Sequence, residues 1–142
     1  MKECNLFDYE VEIDETATKD WYANAHGWDC PCEDCKYFIS LAKKKELPVI
    51  ILDTLSRFDI PPEKATYVCS ITEENNEVLY EISYRVVGNI LKEKECDINA
   101  YGRGEAYCGH NPYPYGAPGF PEPHFDLEFW VWLPMLHSVA AL

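Results

Sequence analysis

Residues 78–87 set Val78, Tyr80, Ile82, Tyr84 and Val86 against Leu79, Glu81, Ser83 and Arg85. A strand turns successive side chains to opposite faces, so this alternation gives one apolar face, whereas helical geometry would scatter the same residues around the axis. A second alternating run precedes it, and the polar tip Glu74, Asn75, Asn76 lies between them. Asparagine tolerates the positive φ of a tight turn, so residues 66–91 are predicted to form a β-hairpin. Two further runs share the period. Phe7, Tyr9, Val11 and Ile13 alternate with Asp8, Glu10 and Glu12, and Phe125, Leu127, Phe129, Val131 and Leu133 alternate with Asp126, Glu128, Trp130 and Trp132.

Between the first strand and the hairpin the period becomes helical. Residues 14–25 read as a short helix capped by Asp14 or Thr16. A second helix begins at Cys35, with Asp34 as candidate N-cap, Phe38, Leu41 and Ala42 on one face, and Lys43 to Lys45 complementing its C-terminal dipole. A third places Ile51, Leu52, Leu55 and Phe58 on one stripe and stops at Pro61 and Pro62. Residues 101–123 hold five of the seven glycines and five of the ten prolines, which excludes an uninterrupted helix or central strand and predicts a long loop. Its Tyr107, Tyr113, Tyr115 and Phe120 give that loop something to pack with. The expected architecture is a single α+β domain over residues 1–142, a mostly antiparallel sheet of about four strands with helices packed on one face.

The formal charge of −13 repels phosphate backbones and anionic lipid, which argues against nucleic acid and membrane surfaces as partners. No apolar stretch approaches the roughly 18 residues of a membrane span. The N-terminal stretch turns acidic within a few residues and lacks the apolar run of a secretory signal, so the seven cysteines are expected in a reducing cytoplasm. There, closely spaced thiols serve as metal ligands or catalytic groups more often than as disulfides.

The segment GWDCPCEDC, residues 27–35, places Cys30, Cys32 and Cys35 in C-x-C and C-x-x-C spacing. Loops this short let thiolates converge on one soft ion, and zinc takes four such ligands in a tetrahedron. Candidates for a fourth ligand are His26, Cys108 and His110, with Cys96 and His124 behind them; Cys4 and Cys69 read as small hydrophobes. The same triplet could instead hold inert buried thiols or a redox pair. Asp29, Glu33 and Asp34 oppose thiolate formation for redox work, whereas a metal cation would offset their charge. PCEDC also matches half of the zinc deaminase signature, but no upstream H-x-E or C-x-E supplies the proton-shuttling glutamate. No phosphate-binding loop, nucleophile elbow or H-E-x-x-H helix is present, and adjacency alone is a poor basis for pairing Cys108 with His110 as nucleophile and base.

The stretches DWYANAHGWDCPCEDCKYF, VGNI and GHNPYPYGAPGFPEPHFDLEF resemble a family of small, functionally uncharacterised bacterial proteins that share a W-x-C-x-C-x-x-C segment and a closing Pro/Gly/Tyr-rich loop. The resemblance spans most of the chain and brings no catalytic role with it. The residues point to a binding or regulatory module with a structural zinc at the cysteine loop, meeting a protein or small molecule through His110, Tyr113, Tyr115, Phe120 and His124. Two alternatives stand beside it. One is a metal-dependent hydrolase or lyase at the same cysteines, whose mark would be a metal-bearing pocket with a carboxylate such as Glu105; the other is an acidic inhibitor or immunity-type protein that blocks a basic partner.

Overall fold

The computed structural model describes residues 1–93, 105–110 and 113–135. It is an α+β fold built on a six-stranded antiparallel sheet with three helices. The strands are β1 (Lys2–Leu6), β2 (Tyr9–Ile13), β3 (Tyr67–Glu74), β4 (Glu77–Lys92), β5 (Glu105–Gly109) and β6 (His124–Pro134). The helices are α1 (Glu15–Asn24), α2 (Glu33–Lys43) and α3 (Val49–Arg57), all between β2 and β3.

The expected count of about four strands is too low by β1 and β5. The first run is itself a hairpin: Phe7 and Asp8 form a two-residue turn with φ of 53° and 70°, and Leu6 pairs with Tyr9. Phe7 therefore sits in a turn and not on a strand, packing edge-on against Phe129 at 5.6 Å. The hairpin at Asn75–Asn76 forms as expected, with both asparagines at positive φ and Glu74 opposite Glu77. Within the stretch expected to be one long loop, β5 pairs with β6 at the outer margin of the sheet. A margin strand donates ladder bonds on one side only, which its glycine-rich surroundings allow.

The 16-residue strand β4 organises the rest. Along one edge it pairs with β6 from Glu77 to Val87; along the other it pairs with β3 from Glu77 to Ser83 and with β2 from Gly88 to Lys92. That second edge has a gap at residues 84–87, where buried backbone groups need partners. Helix α1 supplies them. Thr18 Oγ1 accepts from Val87 N at 3.0 Å, Tyr22 Oη donates to Arg85 O at 2.6 Å, and Asp14 N donates to Val87 O at 2.8 Å. Asp14 also caps the helix, its carboxylate accepting from Ala17 N. Gly88 then admits β2: a Cβ there would lie 2.0 Å from Glu12 O.

The even-numbered residues of β4 face the main core, where Tyr80, Ile82, Tyr84 and Val86 are buried with Phe125, Leu127 and Phe129 of β6. Phe38 of α2 packs on Tyr80, and Ile51, Leu55 and Phe58 join the same cluster. The odd-numbered face carries a buried ion pair, Arg85 Nε to Asp126 Oδ1 at 3.3 Å, and is covered by the 113–123 segment. The helices thus line one face while α1 also fills a strand edge. Tyr22→Phe keeps the ring and strands the carbonyl of Arg85, so we expect urea unfolding to show a loss of about 1–3 kcal/mol. A loss under about 0.5 kcal/mol would show that α1 does not serve as the missing edge partner.

Candidate metal centre

Tyr22, near the C-terminal end of α1, is tied to β4, and the chain beyond it passes β3, where Trp28 packs on Tyr67, before α2 begins. The crossing carries the cysteines. Cys32 is the N-cap of α2, its Sγ accepting from Cys35 N at 3.3 Å, and Asp34 lies in the first turn. The expected cap at Asp34 is therefore displaced two residues upstream, because a thiol sulfur satisfies the helix N-terminus and leaves the acids to complement its dipole. Cys35 comes one turn later and is buried; Cys30 is half-buried and Cys32 exposed. The three Sγ atoms all lie within 4.8 Å of one another, a grouping that could hold a metal ion.

The surroundings suit thiolate ligation. Trp28 Nε1 donates to Cys35 Sγ at 3.4 Å, so an indole N–H supports the buried sulfur from its outer side. Hydrogen bonds from the Cys32 backbone and side chain, with a further one from Cys35, hold the Cys30 thiol below its ordinary value. Burial pushes Cys35 up to about 12 against the pull of Trp28, with the thiols of Cys32 and Cys30 adding to the rise. Without a cation the cluster shares protons unevenly; a divalent ion would displace them, as thiolate coordination requires.

The other candidate ligands lie elsewhere. His26 is exposed and lines a cleft beside Trp28. Cys108 pairs across β5–β6 with Leu127 and joins the core cluster, where a strand face and not the CGH sequence decides its direction. His110 Nε2 meets Glu93 Oε1 at 2.6 Å on the surface. His124 Nδ1 lies 3.1 Å from Pro121 O, its ring edge-on to Phe120. Cys4 and Cys69 are half-buried, while Cys96 and the Glu105 side chain lie outside the described residues.

The aromatic loop reaches back to the cysteine segment. Arg85 Nη2 donates to Tyr113 O at 2.7 Å, fixing the loop to the polar face of the sheet. Gly116 is pressed onto Thr66, where a Cβ would fall 1.7 Å from the carbonyl oxygen. Tyr113 consequently meets Trp28 at 5.8 Å and Tyr67 at 5.1 Å, and Phe120 packs on Trp21 at 4.7 Å. Between these residues opens a cleft of about 590 Å³. Of the residues expected to form a binding loop, Tyr113 and Tyr115 line it, Phe120 is buried beneath, and His110 and His124 stand apart from it. Trp21 and Trp28 enter from α1 and its C-terminal extension; Trp28 is the tryptophan of the W-x-C-x-C-x-x-C segment, whereas no spacing singled out Trp21.

A carboxyl pair on the polar face also escaped sequence reading. Burial pushes Glu128 up to about 7, helped by a hydrogen bond and charge from Glu81 and by the charge of Asp126. Both glutamates occupy the outward positions of alternating strands, and only the β4–β6 register brings them together. No family model, curated protein or solved structure matches the chain.

An unfolded glutamate titrates near pH 4.3. Between that value and about 7 the folded chain binds more protons at Glu128 than the unfolded chain does. Stability therefore falls as pH rises through this window. Urea midpoints at pH 5.5 and 7.5 should show the fall in wild type and a shallower one in Glu128→Gln. Equal slopes in the two proteins would remove Glu128 as its source.

Proposed function

We propose that this chain is a binding module of a reducing, cytoplasmic compartment that holds one structural zinc ion through Cys30, Cys32 and Cys35. The observation that carries the reading is the convergence of the three sulfurs within 4.8 Å at the start of α2. Zinc–sulfur bonds of about 2.3 Å set tetrahedral sulfurs about 3.8 Å apart, so closure around the ion needs only a small contraction. Three thiolates favour zinc, which accepts soft ligands without redox chemistry and with little geometric demand. Among the described residues no two cysteines are joined in a disulfide. Among the described residues no helix is long and apolar enough to cross a membrane.

The role of such an ion is set by its neighbours. It would tie the 28–32 crossing to the first turn of α2 and, through Cys35, steady the indole of Trp28 at the edge of the aromatic cleft. We take the 113–120 segment as the recognition surface and the sheet as its scaffold. A metal-dependent hydrolase or lyase keeps one supporting observation: no fourth His, Cys, Asp or Glu joins the cluster among the described residues, which leaves a coordination position for water or substrate. Against it, three thiolates quench the Lewis acidity such chemistry needs.

Protein purified without added metal and analysed by mass spectrometry should carry about one zinc per chain. Cys32→Ser should abolish stoichiometric loading, Trp28→Phe should weaken affinity by about 10–100-fold as outer partners of a ligand do, and Cys69→Ser should change neither. Loading that survives Cys32→Ser, or its absence from wild type, would refute the proposal.

A further inference from the structure

The cleft beside the cysteine site has a chemical character of its own. Trp21, Trp28, Tyr113 and Tyr115 line it together with Asp29 and His26. Among the described residues neither lysine nor arginine lines it. Lys64, which packs against Gly27, donates from Nζ to the carbonyl of Tyr22 at 2.6 Å. Trp28 and Tyr113 meet at 67°, and Tyr113 and Tyr115 at 76°. Rings at such angles meet edge to face and are not stacked in parallel.

Two of these rings, Trp28 and Tyr113, are held in place. The Trp28 indole is hydrogen-bonded to Cys35 Sγ, the Tyr113 backbone to Arg85, and Gly116 is seated without clearance on Thr66. Preorganised rings lose little entropy on binding. An aromatic ring presents a negative face, a carboxylate adds a full charge, and the chain as a whole carries −13. Anions are repelled from such a cleft, and a compact, weakly hydrated cation gains from rings and carboxylate together.

We propose that this cleft binds a small organic cation, a compound bearing an alkylated ammonium group, with the Trp28, Tyr113 and Tyr115 rings as its cage and Asp29 as its counter-charge. The inference goes beyond the metal reading and does not depend on it: Trp28 and Asp29 border both sites, and zinc loading is measured separately for each variant.

The test is a titration of isotope-labelled protein with choline, and with 3,3-dimethylbutanol as its uncharged isostere, followed through the indole N–H resonances. Choline should shift the Trp21 and Trp28 signals saturably and leave Trp130 and Trp132 unmoved, while the isostere binds at least about tenfold more weakly. Tyr115 is 80% exposed and Asp29 is exposed, so Tyr115→Ala and Asp29→Asn leave the fold intact; each should weaken choline about fivefold. Equal binding of the isostere, linear unsaturated shifts, or unchanged affinity in both variants would overturn the proposal. Preference for a trimethyllysine peptide over choline would overturn the small-molecule assignment in favour of a partner protein.

Discussion

The interrupted edge of β4 is the constraint on which the rest depends. A strand buried on both faces cannot leave carbonyl and amide groups unpaired, and β3 and β2 together cover only the two ends of that edge. Thr18, Tyr22 and Asp14 close the gap from α1. This is why the first helix must lie across β4 and not simply rest on a sheet face. Tyr22 is fully buried for the same reason, and burial raises its phenol well above the ordinary tyrosine value. The hydroxyl therefore stays a donor at neutral pH.

With α1 fixed, its C-terminal end sets the path of the cysteine crossing. Trp21 is turned toward Phe120, Lys64 ties off the Tyr22 carbonyl, and the chain enters the cysteine segment beside the loop that Arg85 anchors. Arg85 is a buried cation with a buried carboxylate, an arrangement that rarely adds much stability over an apolar replacement. Its value here is positional. One guanidinium joins β6 through Asp126, the aromatic loop through Tyr113, and the Phe120 ring at 5.9 Å. The cysteine crossing and the aromatic cleft thus share a foundation in β4, and Trp28 joins them with one indole N–H.

How much of this could be read from the chain depended on which residues made the turns. The β3–β4 hairpin was legible because Asn75 and Asn76 are residues that accept positive φ. The β1–β2 hairpin was not, since Phe7 and Asp8 continue the apolar–polar alternation through their own turn. Strand β5 was masked by flanking glycines and prolines, and with it the core-facing direction of Cys108. The C-x-C-x-x-C spacing did predict convergence, because its separations are short enough to need no tertiary information. Trp28 as a sulfur donor, Cys32 as a helix cap and the Glu81–Glu128 pair all rest on register or on side-chain direction, which spacing does not encode.

We propose that three thiolates at the head of α2 share one metal ion. X-ray absorption at the zinc edge of the loaded protein reads the coordination sphere without reference to activity. The expected spectrum has three sulfur scatterers at about 2.3 Å and a single nitrogen or oxygen neighbour. A sphere made only of nitrogen and oxygen, or one sulfur alone, would place the ion elsewhere and contradict the account.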